Sequence, residues 1–228
     1  MSETVAVAQT GLHIVVVSDV VCPWCFIGKR QLEQATQLWR EANPASAAPN
    51  VQWYPFQLNP DMPGAGMLRS EYLSAKFGSA NGGPGYQRVL AAANQVGLDL
   101  QLHKIQRQPN TLKPHALIEQ GHALGLGAQV AEALFVAYFK DGIDLTDDGA
   151  LTNLALTTGL PASRISAALS DPQALQRTAD TDAGLRQQGV SGVPLFVIGR
   201  ADGSHRRAVH GAQGADALFQ AMQQCSSN

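Results

Sequence analysis

The chain has 228 residues, 45% hydrophobic and 15% charged, with 16 basic against 18 acidic side chains and a formal net charge of -2. That content suffices for a core that needs no disulfide staples or structural metal, and it excludes wholesale disorder. The near balance of charge provides no bulk field for nucleic acid or an anionic membrane, and no apolar run approaches the ~18 residues of a membrane span.

The first ten residues, MSETVAVAQT, carry an acid and no Lys or Arg. They lack the basic start of a secretory signal and predict a cytoplasmic protein. Leu12 to Ser18 is a β-branched run of the kind buried on both faces of a sheet. Helical spacing begins right after Cys22: Phe26, Ile27, Leu32, Ala35, Leu38 and Trp39 recur up to about Glu41, and Asn43-Pro44 stops the helix. Val51 to Gln57 has strand composition, with Pro55 placing part of it at an edge. Strand, helix and strand in this order predict a βαβ unit with parallel pairing.

From Pro60 to about Gln188 the pattern is helical, apart from a turn at Asn81 to Gly85. Helices are predicted at Leu68–Phe77, Tyr86–Val96, Leu112–Leu124, Gln129–Phe139, Ala150–Thr157, Ala162–Leu169 and Gln173–Gln188. Strand pattern returns at Val193 to Ile198. A turn over Gly199 to Gly203, with the hairpin-favouring pair Asp202-Gly203, leads to a short strand at about Arg206 to His210. Ala215 to Gln224 ends the pattern as an amphipathic helix. The sum is an α/β chain: a thioredoxin-like fold, residues 11–60 and 190–228, interrupted by a large all-helical insertion, residues 61–189.

Two of the three cysteines, Cys22 and Cys25, form a CxxC pair at the first strand-to-helix junction. Pro23 suits the first helical position, where a missing N–H costs nothing. Cys22 then sits beside unpaired backbone N–H groups at the positive end of the helix dipole, which favours its thiolate, the nucleophile of disulfide exchange. Cys25 lies on the same side of the helix within reach of Cys22. Cys22 is predicted to be the exposed attacker and Cys25 the more buried resolver. Trp24 covers the site with an aromatic surface. Far along the chain, Gly192-Val193-Pro194 introduces a strand. A cis Val193–Pro194 bond would bring the chain up to the CxxC face and let the Val193 backbone pair with an extended substrate.

SDVVCPWCFIGK (Ser18 to Lys29), PNTLKPHAL (Pro109 to Leu117), GVPLFVI (Gly192 to Ile198) and HGAQ (His210 to Gln213) resemble the FrnE-like branch of the DsbA family over nearly the whole chain. The resemblance implies a thiol–disulfide oxidoreductase with Cys22 as nucleophile, Cys25 as resolving cysteine and Pro194 as the cis-proline facing them. It also implies that Asn110, Thr111 and His115 lie toward the active site, with Pro23, Trp24 and Val193, as substrate-binding residues. Thiol or disulfide substrates, protein or small molecule, follow from it. The redox-active disulfide serves in place of a cofactor, and glutathione is a candidate co-substrate. Two departures stand out: a polar hairpin segment, Ala201 to Arg207, expected to alter the rim, and Pro114 just before His115, expected to shift that helix start.

Glutathione-dependent isomerases of the 2-hydroxychromene-2-carboxylate type and kappa glutathione transferases share the fold. They resemble this chain but carry a serine where Cys22 stands, so the cysteine pair favours dithiol exchange. A small-molecule isomerase or transferase remains the alternative, and a thiol-bearing chaperone or metal carrier the third. As half of a zinc site the CxxC lacks the second pair of ligands that zinc takes. His115, Glu119 and His122 share one helix face and are expected to form a hydrogen-bonded or solvated stripe. Asp141, Asp144, Asp147 and Asp148 miss the calcium-loop spacing and predict a solvated turn with a helix cap. Cys225 is expected to be a solvent-accessible bystander.

Overall fold

The computed structural model describes residues 11–226, so the reading of residues 1–10 falls outside it. Its centre is a four-stranded sheet. β1 (Leu12–Ser18) runs parallel to β2 (Asn50–Pro55) and antiparallel to β5 (Leu195–Arg200), which pairs with β6 (Arg207–His210). The spatial order is β2-β1-β5-β6. Pro55 closes the edge strand β2, where its missing N–H breaks no ladder.

The strand alternation divides the sheet's two faces. Ile14, Val16, Phe196 and Ile198 point to one face, in register across β1 and β5, and pack under α1 (Pro23–Ala42) and α9 (Ala215–Ser226). Val15, Val17, Leu195 and Val197 point to the other, where Leu185 and Val190 meet them at the end of α8 (Pro172–Gln187). The last helix before β5 thus serves as a layer on the sheet. Asp182 of α8 accepts the Gln57 N–H at 3.1 Å, and the Arg186 guanidinium lies 4.0 Å over the Phe56 ring.

Between β2 and α8 stand α2 (Arg69–Phe77), α3 (Gly83–Gln95), α4 (Leu112–His122), α5 (Gly127–Val136), α6 (Asp148–Thr157) and α7 (Ala162–Ser170). The insertion is not purely helical. Met67–Leu68 (β3) pairs antiparallel with Arg107–Gln108 (β4), and two-residue strands carry too little pattern to be read from sequence. The helix predicted to run through Phe139 instead leaves the α-helix at Val136 and widens into a π turn, Ala137–Asp141. Pro114 sits in the first turn of α4 and leaves its start at Leu112.

Insertion and sheet share one core. Phe26 of α1 stacks on Phe135 of α5 at 5.0 Å between ring centres, and Trp53 of β2 meets Phe135 edge-on at 6.2 Å. Above these rings, Lys29 and Arg30 of α1 both bind Glu132 of α5. Among the described residues, no helix is long and apolar enough to cross a membrane.

The predicted caps and stripes resolve locally. Asp147 caps α6, accepting from Gly149 N at 2.7 Å and Ala150 N at 3.1 Å. Asp144 accepts from Thr146 and pairs with Arg107. On α4 the polar face points inward and is hydrogen-bonded: Glu119 accepts from the Thr178 hydroxyl at 2.6 Å, and His122 Nε2 accepts from the Trp53 N–H at 3.2 Å. The Asp202-Gly203 turn forms, with Gly203 at φ 83°, but the link from Arg200 to Arg207 is longer than a two-residue hairpin. Register places that link against the start of β1, Leu12 opposite Arg200, at the end of β5 away from Pro194. The expectation that it alters the rim is therefore corrected.

Candidate active site

β1 ends at Ser18, and a tight turn, Cys22 N–H to Asp19 C=O at 3.0 Å, delivers the chain into α1. The buried Asp19 carboxylate fixes this turn from inside. Its Oδ2 accepts the Leu58 N–H at 2.7 Å, Oδ1 accepts the Val21 N–H at 3.4 Å, and His115 Nε2 stands 3.4 Å from Oδ1. The sequence reading assigned Asp19 no role; an acid ending an apolar strand was the available signal.

Cys22 is the N-cap residue of α1, with extended backbone at φ -91°, ψ 113°, and Pro23 begins the helix. Its carbonyl accepts from Cys25 N at 3.0 Å and Phe26 N at 3.3 Å, so both cysteines are set by the first helical turn. Both are free thiols. Across the site, Val193–Pro194 is a cis peptide bond, and the Cys22 Sγ lies 3.9 Å from the Val193 carbonyl oxygen. Segments 171 residues apart in sequence therefore meet at one sulfur.

The expectation of an exposed Cys22 is corrected. It is 5% exposed and Cys25 1%, because the insertion leans over the junction. Cys22 opens onto a cavity of ≈ 580 Å³. Pro23, Trp24 and Val193 line one side of it, with Trp24 38% exposed at the rim. The other side is built by α2 and α3, which contribute Arg69, Tyr72, Lys76, Tyr86 and Arg88. None of these five was singled out from sequence, since basic and aromatic residues on an amphipathic helix carry no mark of the wall they will form.

Behind Cys22, burial pushes the Cys25 thiol well above its ordinary range, and the neighbouring Cys22 sulfur adds to this; contacts from Asp19 and Ser18 oppose it. Cys25 is thus held as a protonated reserve.

Asn110, Thr111 and His115 are not among the residues lining the cavity. Asn110 ties segments together, donating to Met62 O at 2.6 Å and accepting from Leu112 N at 2.9 Å. Thr111 is buried at the start of α4, and His115 is the buried neighbour of Asp19. Cys225 is also corrected: it is fully buried, its Sγ donating to Ile198 O at 3.2 Å, because α9 turns it under β5. Gly28 gained significance only in three dimensions. A Cβ there would stand 3.0 Å from Phe196 Cζ and 3.1 Å from Pro194 Cγ, so glycine is what lets α1 lie against the Pro194 ring.

Comparison with known proteins agrees with this geometry. The chain is similar to the uncharacterised protein YwbO of Bacillus subtilis (strain 168), with 25% identity over 213 residues, 92% of this chain and 96% of that one. A probable DsbA oxidoreductase from Streptomyces coelicolor superposes with a TM-score of 0.78 at 28% identity, covering 94% of this chain and 89% of that one. The cytosolic disulfide reductase DsbM of Pseudomonas aeruginosa, solved with GSH, has the same fold: TM-score 0.63, 18% identity, 92% and 97% coverage. Residues 13–223 match the family model of the DSBA-like thioredoxin domain, and the chain belongs to that family.

Proposed function

We propose that this protein is a thiol–disulfide oxidoreductase working through the Cys22–Cys25 couple. The observation that carries the reading is the approach of the Cys22 Sγ, at the N-terminus of a 20-residue helix, to the Val193 carbonyl beside Pro194. In the oxidising direction a substrate thiolate attacks Cys22 Sγ of the enzyme disulfide, and Cys25 leaves, taking up a proton as the buried thiol. A second substrate thiol then displaces Cys22, so two substrate thiols become one disulfide and the enzyme gains two electrons and two protons. In the reducing direction every step reverses. The disulfide itself is the redox group, and glutathione is the candidate co-substrate. We place this exchange in the cytoplasm. The solved relative DsbM is described as cytosolic, and three cysteines leave none paired for structural bridging.

The resolving Cys25 supports exchange over glutathione-dependent isomerisation, which has no use for a second thiol. The test is trapping. Cys25→Ser is expected to accumulate a stable mixed disulfide on Cys22, visible as a mass increase. Cys22→Ser is expected to lose insulin reduction and thiol oxidation alike; full activity in Cys22→Ser would refute the reading.

A further inference from the structure

The cavity beside Cys22 carries an electrostatic imbalance that exchange chemistry alone does not require. Arg69 is 7% exposed, and among the described residues no carboxylate pairs with it. Its guanidinium donates to the Gln108 side-chain oxygen and the Tyr86 hydroxyl, lies 5.4 Å and 5.8 Å over the Tyr72 and Tyr86 rings, and keeps a buried Nε with no partner. A buried cation held only by neutral groups is costly, and an arriving anion lowers that cost. Lys76 and Arg88 add two exposed cations to the same wall, and neither is ion-paired with a described residue. The Lys76 ammonium donates to the Tyr72 hydroxyl at 2.8 Å. No Asp or Glu lines the cavity. Its volume, ≈ 580 Å³, falls in the range of small-molecule sites, and the recessed Cys22 is poorly placed to meet a flat protein surface.

We infer that this cavity selects small disulfides and thiols bearing carboxylates, with the reacting sulfur at Cys22 and the anionic groups against the wall of Arg69, Lys76 and Arg88. The inference rests on the exchange reading above and specifies its substrate class. In the reducing half-reaction the Cys22 thiolate attacks one sulfur of the substrate disulfide and releases one thiol. Cys25 then attacks Cys22 Sγ and releases the second. Two electrons pass from the enzyme dithiol to the substrate, and each departing thiolate leaves protonated.

The test uses the full-length protein, reduced and freed of reductant, in single turnover against glutathione disulfide and against the same disulfide esterified at its carboxylates. Both compounds have matched sulfurs, and rates are normalised to those with free dithiothreitol. At low ionic strength the acid is expected to react at least ~10-fold faster than the ester, with the preference shrinking as salt is added. Arg69 variants risk misfolding, so the exposed pair is altered: in Lys76→Glu/Arg88→Glu the acid-to-ester ratio is expected to fall ~10-fold or more. A wild-type ratio near one, or a ratio unmoved by the double reversal, overturns the inference and leaves disulfide exchange intact. If neither compound reacts, and Cys22→Ser matches the wild type on insulin as well, the exchange reading itself fails and takes this inference with it.

Discussion

Gly28 offers a sharp test, because two physical effects of opposite sign meet there. Replacing an interior helix glycine by alanine ordinarily stabilises a protein by ~1 kcal/mol, since alanine loses less conformational freedom in the helix. In α1 the new methyl would stand 3.0 Å from Phe196 Cζ and 3.1 Å from Pro194 Cγ. That is ~0.5 Å inside ordinary carbon–carbon contact. Phe196 is 1% exposed and Pro194 is buried, so neither can swing into solvent. Overpacking of this kind costs ~1–3 kcal/mol. The net expectation for Gly28→Ala is between no change and ~2 kcal/mol of destabilisation, in place of the usual gain. Relief of the clash moves α1 away from Pro194 and shifts Cys22 relative to the Val193 carbonyl. The single-turnover rate with a small disulfide should therefore fall along with stability. Gly28→Val, with two more methyl groups to place, should lose more of both. Urea unfolding and stopped-flow exchange measure the two quantities on the same preparations. A Gly28→Ala protein stabilised by ~1 kcal/mol that reacts at the wild-type rate would refute the packing argument.

Three further outcomes follow from the structure. Cys225, buried and raised in pKa by that burial, should resist a thiol reagent in the native protein and react only in denaturant; rapid native labelling in a Cys22→Ser/Cys25→Ser background would contradict its placement. Burial alone would raise the Glu132 carboxyl, but hydrogen bonds and charge from Arg30 and Lys29 outweigh it and hold the carboxyl below its ordinary value. A depressed folded pKa contributes stability above the unfolded value, ~4.3, that is lost as pH falls through the folded one. Glu132→Gln should therefore melt lower at pH 7 and lose less on acidification, and parallel pH–stability curves for the two proteins would count against this. Burial pushes His122 below its ordinary value, with Glu119 opposing, while Nε2 accepts the Trp53 N–H. The neutral ring is the folded form, so its contribution is complete above the unfolded pKa of ~6.5 and drains as the ring protonates at lower pH. An imidazole NMR titration with its midpoint at or above ~6.5 would refute that assignment.

The features legible in the sequence are those whose cause is local. A β-branched run followed at once by CPWC forces a strand-to-helix junction, and the predicted α1 and its thiols match the structure to within a residue at either end. Pro194 was legible only together with the CxxC and the family resemblance of Gly192-Val193-Pro194, since a strand-start proline alone suggests an ordinary trans bond. The opposite wall of the cavity was not. Arg69 becomes a buried cation because β3 and β4, two residues each and separated by 38 residues of chain, bring Gln108 to it. No periodicity within α2 encodes that meeting. The same reasoning explains Asn110, Thr111 and His115. Their sequence context announces the start of a helix, and the structure buries Thr111 and His115 and half-buries Asn110, whereas the cavity wall facing Cys22 is supplied by α2 and α3. The CxxC thiols were therefore readable from one segment, while the wall to which we assign substrate selection consists of residues whose neighbours are set by the insertion. A chain with the same CPWC and GVP segments and a different α2–α3 pair would keep the exchange chemistry and change what reaches Cys22.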